Sequence, residues 1–179
     1  MQISGRAKLF VPVVIFLSML ALLLFGLGRD PNLVPSALVN RPLPEFTKPD
    51  LFDASATVSS TQLRGGIFVV NVWATWCPPC HAEHPYLVEI SERETDITFV
   101  GVNYKDDADA ARAFLQERGN PFKFSLTDLD GSLGIDLGVA GAPETFIVDS
   151  TGTIVYRHVG MIDNKVWATI FAPLIAKIQ

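Results

Sequence analysis

Cys77 and Cys80 are the two cysteines of a 179-residue chain. If a helix begins between them, this i, i+3 spacing puts both sulfurs on one side, near the Cα separation of about 4.4–6.8 Å that a disulfide requires. The pair can then close and reopen without moving the backbone. Unpaired N–H groups at a helix N-terminus, together with the helix dipole, favour a thiolate, the species that attacks another disulfide. Cys77, at the loop end, is expected to be the exposed nucleophile. Cys80, inside the first turn, is expected to be the resolving thiol. Pro78 and Pro79 suit that first turn, narrow the loop and remove two donors.

Other chemistries compete for the pair. As a structural staple so short a loop contributes roughly 2 kcal/mol at most, against about 4.7 kcal/mol for a loop near 100 residues. A structural zinc site needs four ligands, yet Cys77, Cys80, His81 and His84 line one helical face and cannot surround a tetrahedral ion. No metal site is expected. Cys77-Pro78-Pro79-Cys80-His81 also matches the C-x-x-C-H attachment signature of c-type haem, with Met161 as a candidate axial ligand. Against haem stand Trp73 and Trp76, whose packing at the end of a buried strand it would displace. On the dithiol reading His81 is a solvated first-turn residue, Met161 fills a gap in the core, and the cysteine pair works without a cofactor.

Several elements must position the pair. Ile67 to Trp73 is an apolar, β-branched run, the pattern of a strand buried on both faces, and it delivers the chain to Cys77. A helix from Cys80 to about Glu94 follows, kinked at Pro85. Ile97–Asn103 repeats the buried-strand pattern, Asp107–Arg118 reads as a helix, Phe122–Leu126 as a short strand and Leu133–Leu137 as a helical turn. Thr145–Val148 and Thr153–Val159 form a hairpin across Asp149-Ser150-Thr151-Gly152, and Asp163 to about Ile178 is a closing helix. Two short strands are expected between Phe46 and Val58. The sum is an α/β fold, a mixed sheet covered by helices.

Hydrophobic residues make up 49% of the chain, unevenly distributed. From Leu9 to Leu27 only Pro12, Ser18 and Gly26 interrupt the apolar run, just long enough for a span of about 20 residues (range roughly 17–25). Arg6 and Lys8 before it place the N-terminus in the cytoplasm by the positive-inside rule. A cleaved export signal is the competing reading, disfavoured by the length of the run and by the lack of an Ala-x-Ala site. Either way the domain is exported. The expected organisation is a cytoplasmic N-terminus (1–8), a transmembrane signal-anchor (9–28), a Pro-rich tether (29–44) and an exported domain (45–179). Arg6, Lys8 and Arg29 against Asp30 leave the first 30 residues at +2, so the rest of a chain of net charge −5 carries −7. That balance, with no Lys/Arg cluster, argues against a nucleic-acid partner.

The segments Asn71-Val72-Trp73-Ala74-Thr75-Trp76-Cys77-Pro78-Pro79-Cys80, Cys80-His81-Ala82-Glu83-His84, Gly101-Val102-Asn103-Tyr104-Lys105-Asp106-Asp107 and Gly138-Val139-Ala140-Gly141-Ala142-Pro143-Glu144-Thr145-Phe146 carry a resemblance. The chain resembles the membrane-anchored thioredoxin-like reductases of cytochrome c maturation, the CcmG/DsbE type. Spacing alone does not favour a cis bond at Pro143, since about 5–6% of X-Pro bonds in folded proteins are cis. The resemblance implies that Ala142–Pro143 is cis, packs against the cysteines and shapes a groove where a substrate strand adds.

It further implies a redox-active Cys77–Cys80 disulfide in a periplasmic reductant on the inner membrane, with Trp76, Pro78 and Pro79 supporting the site. A membrane thiol-electron transporter would be the donor. Apocytochrome c or a cytochrome maturation thioprotein would be the client. A general exported reductase with another client, and a non-catalytic apocytochrome-binding module, are the alternatives. Glu83 and Glu144 would set negative charge near the sulfurs, disfavouring the thiolate, and Glu83 could assist proton transfer. The other reading makes each a solvated carboxylate, and Tyr104 and Asp106 are either motif residues or surface loop.

Overall fold

The computed structural model describes residues 5–27 and 38–179, with side chains from residues 10–26 and from 38 onward. Two compact units divide at Val34/Pro35. The first holds helix α1 (Gly5–Leu27), which runs through Pro12 and exposes its apolar side chains along the described stretch. Among the described residues no helix is long and apolar enough to cross a membrane. The ends of the expected anchor, Leu9 and Leu27-Gly28, fall outside the described side chains. Residues 1–4 of the expected N-terminus and 29–37 of the expected tether lie outside the described residues altogether.

The second unit is built on a six-stranded sheet of β1 (Arg41–Pro42), β4 (Ile67–Trp73), β5 (Ile97–Tyr104), β6 (Phe124–Asp128), β7 (Glu144–Val148) and β8 (Thr153–Val159), in the order β1-β8-β7-β4-β5-β6. Strands β4, β5 and β6 run parallel, and β7, β8 and β1 join antiparallel, so the sheet is mixed as expected. All seven residues of β4 are buried, as a central strand covered on both faces demands. The hairpin turn forms because Asp149 Oδ1 accepts from Thr151 N and Thr153 N while Gly152 takes a φ of +86°. A separate two-stranded sheet pairs β2 (Thr47–Pro49) with β3 (Thr57–Ser59).

β1 falls within the stretch expected to be tether. Asn40 N donates to Ile154 O and Leu43 N to Gly152 O, so the chain closes the β8 edge before the domain was expected to begin. Pro42 is tolerated because an edge strand can spare one donor.

Helices α2 (Pro78–Arg93), α3 (Ala108–Arg118) and the C-terminal segments cover one sheet face, and α4 (Ser132–Asp136) lies on the other. α2 runs as one helix through Pro85. The closing helix comprises α5 (Asn164–Val166), a π-helical turn (Trp167–Phe171) and α6 (Ala172–Ile178). Pro173 cannot donate to the turn before it, which lets that turn widen, and Ala172 N reaches Trp167 O. Behind the loop that follows β4, Trp73 packs between Phe114 and Phe122 at centroid distances of 5.5 and 6.0 Å. Phe122 lies so close over Gly101 that a Cβ there would meet the ring at 2.6 Å.

Candidate active site

β4 ends at Trp73 and the chain turns through Ala74, Thr75 and Trp76 to Cys77, the N-cap of α2. Pro78 and Pro79 bring no N–H, so Cys80 N is the first donor past the cap, and it points at Cys77 Sγ, 3.2 Å away. That N–H and the helix dipole act on the Cys77 sulfur and would favour its thiolate once the pair is reduced. Cys77 and Cys80 are joined as a disulfide with a Cα–Cα distance of 5.3 Å, inside the range that their spacing led us to expect.

Cys77 is not the exposed residue that its loop position suggested. It is 1% exposed, because the oxidised pair folds into the apolar cluster that holds Trp73 and Ala74, with half-buried Ala142 against it. Trp76 is what the surface presents: the residue is 53% exposed, while its Nε1 donates to Lys105 O at 3.0 Å. Met161, expected in the core, is exposed as well.

Thr75 is gripped from three sides. Asp106 accepts from Thr75 N and Thr75 Oγ1, both at 2.6 Å, and from Asn103 Nδ2 and Asp107 N. It is thus a buried clamp on the active-site loop, not a surface loop residue. Tyr104 is half-buried, its ring over Gly134. His81 is not freely solvated either, since its Nε2 lies 2.7 Å from Thr75 O and its ring 4.8 Å from Phe114. A carbonyl only accepts, so Nε2 carries the hydrogen. Replacing Asp106 by Ala leaves the Thr75 N–H without its partner. We expect a loss of about 1–3 kcal/mol in denaturant unfolding and slower reaction of reduced Cys77 with a small disulfide, while Asp106→Asn, which keeps one acceptor, recovers part of both.

Glu83, one turn past Cys80, is 1% exposed, so the solvated reading fails. Its Oε1 accepts from Asn71 Nδ2 at 3.0 Å and its Oε2 from Ile162 N at 2.8 Å. Burial raises its pKa to about 7, against the lowering effect of those two donors. A carboxyl raised from 4.5 to about 7 stabilises the folded state fully below pH 4.5, and that contribution is lost as pH rises through 7. At 1.36 kcal/mol per pH unit the swing is about 3 kcal/mol. Relative to Glu83→Gln, the parent should therefore lose about that much unfolding free energy between pH 4 and pH 8, as read by urea denaturation at a series of pH values. A flat difference across the series overturns the assignment.

Glu144 is buried too, but it does not set free negative charge beside the sulfurs. Its Oε2 pairs with Arg157 Nε at 2.7 Å and its Oε1 accepts from Ala140 N and Gly141 N. The Ala142–Pro143 bond is cis. Pro143 is buried and its carbonyl accepts from Gly160 N. Asn71, Thr145 and Arg157 were not expected in the site. The signal for Asn71 was readable, because a polar side chain amid an apolar strand needs a buried partner. Arg157, in an alternating strand, carried none.

A mixed sheet of this order, with a dithiol pair capping the helix after its central strand and a cis-proline opening a neighbouring strand, defines a thioredoxin-like thiol–disulfide oxidoreductase. The Redoxin family model matches residues 38–169. The thiol:disulfide interchange protein DsbE of Allochromatium vinosum is 47% identical over 176 residues, 98% of this chain and 97% of that protein. The protein of the same name from Escherichia coli K12 is 45% identical over 94% of each chain. Among solved structures, a putative DsbE from Chlorobium tepidum superposes with a TM-score of 0.67 at 23% identity, over 77% of this chain and 96% of that one. The chain belongs to the Redoxin family, among its DsbE-type thiol:disulfide interchange proteins.

Proposed function

We propose that the protein is a periplasmic reductant that opens disulfides in apocytochrome c, or in a maturation thioprotein, so that haem can be attached. Residues 9–28 hold it at the inner membrane with the N-terminus in the cytoplasm, and a membrane thiol transporter resupplies its electrons. The observation that carries the reductant direction is the buried Glu83 carboxyl one turn below Cys80. Negative charge there disfavours the Cys77 thiolate, and a reduced form with a poorly stabilised thiolate is a good electron donor. Glu144 adds nothing to this argument, because Arg157 balances it.

The Cys77 thiolate attacks a client disulfide, forming a mixed disulfide and releasing one client thiolate. Glu83 carboxylate takes the Cys80 proton, and the Cys80 sulfur attacks Cys77 Sγ. The Cys77–Cys80 bond forms, the mixed disulfide breaks and the second client thiolate leaves. Two electrons pass to the client and one proton stays on Glu83. A client strand would bind at Ala142, whose backbone N–H and C=O make no hydrogen bond among the described residues. The haem-attachment reading of Cys77-Pro78-Pro79-Cys80-His81 fits poorly: His81 Nε2 is engaged by Thr75 O, and Trp73, Phe114 and Phe122 fill the space behind the motif.

Equilibration with glutathione tests the direction. A potential well below that of the strong oxidants of this fold, about −120 mV, is expected, and a value near that figure overturns the reductant reading.

A further inference from the structure

Asn71, Thr145 and Glu83 form a buried polar group that links β4, β7 and α2, the helix that begins at the cysteine pair, with Asn71 and Thr145 0% exposed and Glu83 1% exposed. Asn71 Nδ2 stands 3.0 Å from Glu83 Oε1 and 3.0 Å from Thr145 Oγ1, while Asn71 Oδ1 has no partner. An orphaned buried carbonyl is costly, and the arrangement suits only one state of the acid. An ionised carboxylate accepts from Nδ2; a protonated one must also donate. Both neighbours of the amide share that property, because a carboxyl and a hydroxyl can each be donor or acceptor. Among side chains, a primary amide can match either state by rotating about its last bond, exchanging N and O at nearly the same positions.

We infer that Asn71 is a two-way positioning residue. With Glu83 ionised, Nδ2 donates to Glu83 and Thr145; with Glu83 protonated, the amide turns over and Oδ1 accepts from the Glu83 carboxyl and the Thr145 hydroxyl. Asn71 Nδ2 and Oδ1 exchange places while the Glu83 and Thr145 oxygens stay where they are, and Ile162 N keeps its bond to Oε2. The buried acid can then take up the Cys80 proton and give it back without losing its partners. This deepens the proton-transfer role assigned to Glu83 and rests on it. Of the elements around Glu83, α2 also carries His84 and Tyr86, β8 carries His158, and Asp163 follows Ile162, while the two sulfurs do not titrate as a disulfide. Of these, His84 Nε2 is engaged by Gly119 O and His158 Nε2 by Met161 O.

The test is an NMR titration of the full oxidised chain in detergent micelles between pH 5 and pH 9, with labels on the Glu carboxyl carbons and the Asn side-chain amides. The Asn71 amide signals should change with the same midpoint as the Glu83 carboxyl, and their cross-peaks to the Thr145 methyl should weaken toward low pH as Oδ1 replaces Nδ2. In Glu83→Gln, where Ile162 N claims the side-chain oxygen and the Gln amide must donate to Asn71, the low-pH pattern should persist at every pH. Thr145→Val should move the Glu83 midpoint and Thr145→Ser should restore it. An Asn71 amide that keeps its contacts while Glu83 titrates, or that in Glu83→Gln matches the parent at high pH, overturns the inference. So does a Glu83 that does not titrate in this range. The wild-type titration needs no variant to fold. Equal rates of client reduction by Glu83→Gln and the parent would instead overturn the proton-transfer role, a failure separable from that of the amide switch.

Discussion

Replacing Cys80 by Ser should stop turnover and leave Cys77 covalently joined to a client. Cys77 Sγ still receives the Cys80 backbone N–H, which is a property of the helix start and not of the side chain, so the first attack is retained. What disappears is the sulfur that displaces the client. A non-reducing gel of cells expressing the variant should show a band shifted by the mass of the partner, abolished by dithiothreitol and by a second Cys77→Ser change. Identification of that partner by mass spectrometry decides between a cytochrome maturation client and another exported thiol protein. If Cys77→Ser retains activity in cells, the dithiol mechanism is wrong and a binding module is the better reading.

The second large effect is expected at Arg157. Glu144 is 0% exposed in its side chain and Arg157 12%, so each depends on the other for charge compensation. Removing one partner of such a pair strands a buried charge, at about 3–5 kcal/mol. Arg157→Ala should lower the urea midpoint accordingly. It should also loosen the loop before Pro143, because Arg157 Nη2 donates to Gly138 O and Glu144 holds the N–H groups of Ala140 and Gly141. Adding Glu144→Gln to Arg157→Ala should recover part of the loss, since the stranded charge is then gone. An Arg157→Ala protein as stable as the parent would mean that the ion pair is not what compensates Glu144.

Both expectations rest on the same unit, a strand that ends at a helix start and a hairpin that ends beside it. The first part was legible because its signals are local. Ile67 to Trp73 is apolar and β-branched, two cysteines follow at a helix's spacing, and prolines mark its first turn. The hairpin was legible for the same reason, from Asp149 and Gly152. β1 was not, because two residues, one of them a proline, carry no periodicity and pair only when β8 is there to receive them.

The carboxylates divide in the same way. Residue type and spacing alone placed Glu83 near Cys80 and Glu144 beside Pro143. They could not say that one acid is buried with an amide from β4 and a backbone N–H 79 residues later, while the other is balanced by an arginine 13 residues on. Nor could they say that Asp106 clamps Thr75 from 31 residues away. The sequence by itself determined the reactive pair, its helix start and the order of elements, because those depend on neighbours along the chain. Tertiary structure alone decided which carboxyl is desolvated, with its pKa raised to about 7, and which is paired with an arginine. Desolvation and pairing arise when distant segments close over a group and bring, or fail to bring, its counter-charge.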